Sequence, residues 1–247
     1  MNLETIIKRF ARGLEFVDRT TTTVTMPRDR ERGPYLAGVP SMTETAVTKE
    51  VTDWWVRSYP ADFYSSSFQI ELEVPYLGVP RAKCDFVIGD HRELLFPVAN
   101  EWAVEVKRIQ LLGNNGNNND YGIPKLLSPY LKDRSLIHDL RRMQSHPLAN
   151  YQAALGYVFT YSFDSLNTAH QKHGNKPTEL ENIRKVLHNN DPGDGIYDGM
   201  EIVRAANAIF SSLDLIIGDL VVEPFRNLWR HPCGGNGFVF AWEVKPN

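Results

Sequence analysis

Two cysteines, Cys84 in a strand-like run and Cys233 in a glycine-rich segment, are too few for a disulfide framework or a thiolate zinc site. Both are read as reduced thiols. No stretch approaches the roughly 18 consecutive apolar residues of a membrane span. Residues 1–12 are amphipathic where a secretion signal would carry an apolar block, so the expectation is a soluble, cytoplasmic chain without membrane contact. Excess positive charge is also lacking: the formal net charge of −3 excludes a histone-like grip on nucleic acid, which needs many phosphate-neutralising cations. It leaves room for an enzyme that gathers carboxylates round a cation and offers a local basic surface, to which Arg28, Arg30, Arg32, Lys83, Lys107, Arg141 and Arg142 are candidates. There is no internal repeat and no Gly-X-Ser-X-Gly elbow. The glycines after Cys233 precede a strand and no Lys-Ser or Lys-Thr pair, so they read as a hairpin turn and not as a phosphate-binding loop. His170 and His173 have no Cys or Glu to complete a metal site and read as loop residues.

What is present is one domain's worth of ordinary globular sequence, 247 residues of which 42% are hydrophobic and 23% charged. Leu3, Ile6, Ile7, Phe10, Leu14 and Val17 recur at helical spacing and predict an N-terminal amphipathic helix over residues 1–19. An irregular segment, 20–40, follows. Ser41 is a plausible N-cap for a helix over 41–59 with Ala46, Val47, Val51, Trp54 and Trp55 as its buried stripe, closed by Pro60.

From Phe68 the period becomes two, predicting a strand in which Phe68, Ile70, Leu72 and Val74 alternate with Gln69, Glu71 and Glu73. Strands over 81–88 and 102–109 are expected next, separated by a turn at Gly89 and Asp90 and a break at Pro97. Residues 113–122, with five asparagines, read as a loop. Then come a helix over 129–144 and an apolar strand over 154–161. Thr178 and Glu181 form a capping box for a helix to residue 188. A loop over 191–199, a helix over 200–213 and strands over 215–222 and 238–244 complete the reading.

The chemistry concentrates in Arg81-Ala-Lys-Cys-Asp85-Phe-Val-Ile88 and, further on, Glu101-Trp-Ala-Val-Glu105-Val-Lys107. Side chains two apart on a strand share a face, so Glu105 and Lys107 project together while Val104 and Val106 face the core. If the two strands are neighbours, Asp85 joins them. Two carboxylates hold one or two Mg²⁺ ions, which activate water and neutralise charge growing on a phosphate, and the lysine ammonium positions or helps deprotonate that water. Carboxylates within an apolar strand are otherwise expensive.

With Asp85 as first acid and Glu105-Val106-Lys107 as the E-X-K element, the chain resembles the PD-(D/E)XK nuclease superfamily. The expected order helix, three strands, helix, strand over residues 41–161 also fits that superfamily's core. Cys84 stands where the motif has proline, a position without chemistry in this mechanism. A second E-X-K triplet, Glu243-Val-Lys245, serves as a control: only Pro246 and Asn247 follow it, so no helix and strand can complete a core there.

The resemblance implies a restriction-endonuclease-like α/β fold, a central mixed sheet flanked by helices, with additions at residues 1–40 and 162–247. It implies an Mg²⁺-dependent DNA endonuclease in which Mn²⁺ may substitute, with Asp85 and Glu105 on the metal. A further acid comes from the first core helix, either Glu50 or Glu44, with Glu50 preferred; Glu73 is a third candidate. Lys83, Gln110, Arg141 and Arg142 are candidate DNA contacts, and His138 lies on the same helix as the two arginines. By analogy the enzyme is of restriction type, a homodimer on duplex DNA. A repair, recombination or mobile-element nuclease and a catalytically inactive nucleic-acid-binding module are the other readings.

Overall fold

The computed structural model describes residues 1–21, 38–63, 68–90, 100–112, 135–162, 196–197, 199–226 and 235–246. Helix α1, Leu3–Thr20, buries Ile6, Ile7, Phe10, Leu14 and Val17 along one stripe, and Asn2 caps it by accepting the Thr5 N–H at 2.9 Å. Helix α2, Glu44–Ser58, lies against it closely enough that a Cβ on Gly13 would stand 2.6 Å from Val51. The cap of α2 is Thr43 and not Ser41: its hydroxyl accepts the Ala46 N–H at 3.2 Å, whereas Ser41 ends a 3₁₀ turn, Val39–Ser41. That turn is fixed from α1, because the buried Asp18 carboxylate accepts the Val39 N–H at 2.9 Å.

Strands β1 (Phe68–Pro75), β2 (Lys83–Asp90) and β3 (Asn100–Ile109) form an antiparallel meander. Helix α3 (Leu136–Ser145) then carries the chain to β4 (Tyr151–Phe159), which runs parallel to β3. A small ribbon of β5 (Tyr161–Ser162) and β6 (Ile196–Tyr197) precedes α4 (Met200–Ser212), β7 (Val221–Phe225) and β8 (Gly237–Val244). The result is an α/β architecture with one six-stranded mixed sheet in the order β1-β2-β3-β4-β8-β7. Among the described residues no helix is long and apolar enough to cross a membrane.

The expected order α2-β1-β2-β3-α3-β4 is present, with differences at its edges. Gly89 and Asp90 do not turn; they extend β2 and pair with Gln69 and Phe68, while a register shift between Ile88 and Gly89 adjusts the other side to β3. The strand expected over 215–222 is displaced to Val221–Phe225, after the left-handed turn at Asp214, and only Ile217 bridges to Val244 ahead of it. Pro224 fits there because β7 is an edge strand. The C-terminal strands are no appendage: β8 pairs with β4 from Gln152↔Val244 to Phe159↔Gly237. The Asn-rich segment 113–122, the start of the helix expected from 129, the helix expected over 178–188, Arg28, Arg30, Arg32, His170, His173 and Cys233 lie outside the described residues.

Strand alternation sorts the helices to two faces. Phe10 of α1 packs on Tyr157 at 5.9 Å between ring centroids, whereas Phe210 of α4 packs on Trp242 at 5.2 Å. Trp242 pairs with Ala154, three residues from Tyr157 and therefore on the opposite face of β4. Glu105 also pairs with Ala154, so its side chain shares the face of α4 and looks toward α3.

Candidate active site

Strands β2 and β3 pair as far as Phe86↔Val104 and then part. One step beyond, Asp85 and Glu105 come opposite each other on one face, and the Asp85 carboxylate takes over from the ladder by accepting the Val106 N–H at 2.6 Å. On the other side of β3, Glu105 and Lys107 lie beside Ala154 and Gly156 of β4, neighbours too small to crowd them. Asp85, Glu105 and Lys107 are therefore brought together where the sheet opens.

Glu105 is almost wholly enclosed. Its Oε1 accepts the Tyr76 hydroxyl at 2.8 Å and stands 3.3 Å from the Arg142 guanidinium, which itself lies 5.0 Å from the centre of the Tyr76 ring. Tyr76 is buried in the turn between β1 and β2. From α3, Asp139 pairs with Arg142 one helical turn on and with the Lys107 ammonium at 2.7 Å. At the other side, the Glu44 carboxylate at the start of α2 accepts the Arg108 N–H at 2.5 Å.

Burial, then the nearby Asp139 and Asp85 charges, push the Glu105 carboxyl well above the usual range, with Lys107 and Arg142 opposing them. Asp85 is also raised, chiefly by burial, against the pull of Lys107, the Val106 N–H and a hydrogen bond shared with Glu105. Two neighbouring buried carboxyls that both hold their protons more tightly than usual mark a place where positive charge is wanted. Burial alone would lower the Lys107 ammonium, but Asp139, Glu44, Asp85 and Glu105 together hold it above the ordinary lysine value. Cys84, next to Asp85, is a fully buried thiol raised by that burial, which makes it packing and not a nucleophile.

No protein-family model, curated protein or solved structure matches this chain.

The remaining candidates divide by place. Glu50 is exposed on α2, outside the cluster; the acid of that helix that reaches the site is Glu44, which continues the buried stripe of Val47, Thr48, Val51 and Trp55 by one turn. Helix phase alone left the two acids level, since Ala46, Val47 and Trp54 stand three or four residues from Glu50; the half-buried state of Ala46 and Trp54 decides. Gln110, a candidate DNA contact, is buried and donates to the Pro40 carbonyl at 3.4 Å, so it braces the chain before α2. Arg142 is turned inward onto Glu105, while Arg141 beside it is exposed. Lys83 is exposed and pairs with Glu73 at 3.5 Å. The second E-X-K triplet, at the end of β8, is partly exposed at Glu243 and exposed at Lys245, and its strand pairs with β4 and β7, not with β2.

Among the described residues no group of three or more His, Cys, Asp and Glu side chains is arranged to hold a metal ion. Mg²⁺ does not require one: it is commonly bound through one or two carboxylates, the rest of its shell being water and substrate phosphate. Each carboxylate here gives one oxygen to protein donors, Asp85 Oδ2 to Val106 and Glu105 Oε1 to Tyr76 and Arg142, and the two groups are near enough to shift each other's titration. That donor set, hard, buried and short of positive charge, fits a small divalent cation.

Proposed function

We propose that the protein is a metal-dependent nuclease that hydrolyses phosphodiester bonds in DNA, of the PD-(D/E)XK kind. The observation that carries this reading is the convergence of Asp85, Glu105 and Lys107 on one face where β2 and β3 part. The element order α2-β1-β2-β3-α3-β4 supports a restriction-endonuclease-like core.

Asp85 and Glu105 are the residues to hold Mg²⁺, with Mn²⁺ as a substitute. The ion supplies Lewis-acid polarisation of a phosphate oxygen and a more acidic attacking water. Lys107, kept as an ammonium by the acids round it, donates a hydrogen bond to a phosphate oxygen or the water; a group so firmly protonated does not take the proton itself. Glu44 adds negative charge at the rim, and its hold on the Arg108 N–H fixes the end of α2 to β3.

Incubation of purified protein with supercoiled and linear DNA in Mg²⁺, in EDTA, and as the Glu105→Ala and Lys107→Ala variants tests this. Metal-dependent cutting lost in both variants is the expected result. Discrete fragments would favour a restriction-type enzyme on duplex DNA over a repair or mobile-element nuclease, and gel filtration would check the homodimer that analogy favours. No cutting of DNA or RNA in Mg²⁺ or Mn²⁺ would overturn the reading in favour of a binding module.

A further inference from the structure

The four charges at the site form a ring: Glu105 meets Arg142 at 3.3 Å, Arg142 meets Asp139, and Asp139 meets Lys107 at 2.7 Å, with Glu105 and Lys107 two apart on β3. All four side chains are largely enclosed, with 13% or less exposed. The match is geometric. Residues three apart on a helix are separated by about 4.5 Å along its axis, and residues two apart on a strand by about 6.6 Å, a difference that long side chains bridge. The pairing also runs in opposite senses, the earlier helix residue meeting the later strand residue. A helix returning the chain from β3 to a parallel β4 must run that way.

Stability is a poor reason for such a ring, because apolar side chains of similar volume generally fill an interior site at least as well as buried ion pairs. We infer that Asp139 and Arg142 of α3, together with the Tyr76 hydroxyl, are positioning residues. They fix Glu105 and Lys107 so that the Glu105 Oε1 is committed to the protein and the carboxylate is held in place near Asp85. This rests on the nuclease reading above and deepens it: Arg142 is removed from the DNA contacts and given a role behind the carboxylate.

The test measures Mn²⁺ binding by titration calorimetry, alongside DNA cleavage, for wild type and for Arg142→Met, Arg142→Lys and Tyr76→Phe. Deleting a positive charge beside two carboxylates should by simple electrostatics tighten cation binding. Loss of a partner that orients a ligand instead weakens it, by about 10–100-fold. The expected result is weaker Mn²⁺ binding and lower kcat for Arg142→Met, with KM for DNA unchanged and partial recovery in Arg142→Lys. Unchanged or tighter binding, or a raised KM with normal kcat, would overturn the inference. Should Arg142→Met fail to fold, Tyr76→Phe decides by the same sign, since it removes one donor to Glu105 with almost no change of volume. Wild type that binds Mn²⁺ and cuts DNA beside unaffected variants defeats only the positioning role; wild type that does neither defeats the nuclease reading and this inference with it.

Discussion

The carboxylate of Asp85 accepts the backbone N–H of Val106 at 2.6 Å, across the point where β2 and β3 cease to pair. One side chain thus serves the fold with one oxygen and is available for chemistry with the other. An asparagine keeps an acceptor for that N–H and removes the charge. In urea unfolding Asp85→Asn should therefore keep a stability within about 1 kcal/mol of wild type, whereas Asp85→Ala, leaving a buried N–H unmet, should lose about 1–3 kcal/mol. Both should lack metal-dependent cleavage. Activity surviving in Asp85→Asn would remove Asp85 from the metal.

The raised Glu105 carboxyl makes stability fall with pH. Because its folded value lies above the unfolded one, near 4.5, the folded chain holds the proton more tightly; the stability this gives is fully present below about 4.5 and is lost as pH rises through the folded value. In the absence of divalent cations, thermal midpoints of wild type should decline across that window. In Glu105→Gln this component of the decline should be absent, and identical slopes for the two proteins would contradict the assignment.

A cation that binds Asp85 and Glu105 competes with protons that burial makes both carboxyls hold more tightly. Mg²⁺ or Mn²⁺ binding should consequently release protons and strengthen as pH rises. Calorimetry in two buffers of different ionisation heat measures the release directly; no difference between buffers would mean that the ion sits elsewhere.

At the turn before α2, Gly38 adopts φ 109, and a Cβ there would lie 2.3 Å from the Asp18 oxygen that receives the Val39 N–H. Gly38→Ala should destabilise the fold by roughly 1–3 kcal/mol through backbone strain and the displaced acceptor. Its cleavage per folded molecule should stay normal, which separates the seating of α2 from the chemistry.

How much of this was legible in the sequence follows from what each signal depends on. Period-two alternation and the spacing of Asp85, Glu105 and Lys107 are properties of single strands, and they located the meander and the three residues the sheet brings together. Asp139 and Tyr76 gave no such signal, because their role arises only from where α3 and the β1–β2 turn settle. Arg142 read as a phosphate contact for the same reason, since nothing local says which side of α3 meets β3. Glu44 is different again: against the stripe Ala46, Val47, Val51, Trp54 and Trp55 its helix position did not separate it from Glu50, and only the packing, which buries Val47, Val51 and Trp55 but leaves Ala46 and Trp54 half-buried, decides for it. The place of β8 beside β4 was illegible, as strand order between distant segments leaves no periodic trace.

That place has a consequence for the birth of the protein. Every residue of the charged ring has been synthesised by Arg142, yet β4, the strand beside Glu105 and Lys107, gains its second neighbour only when residues 237–244 pair with 152–159. Contacts so distant in sequence form late and slowly. On the nuclease reading proposed above, a chain growing on the ribosome carries all four charges of the ring before the strand that flanks β4 has been made.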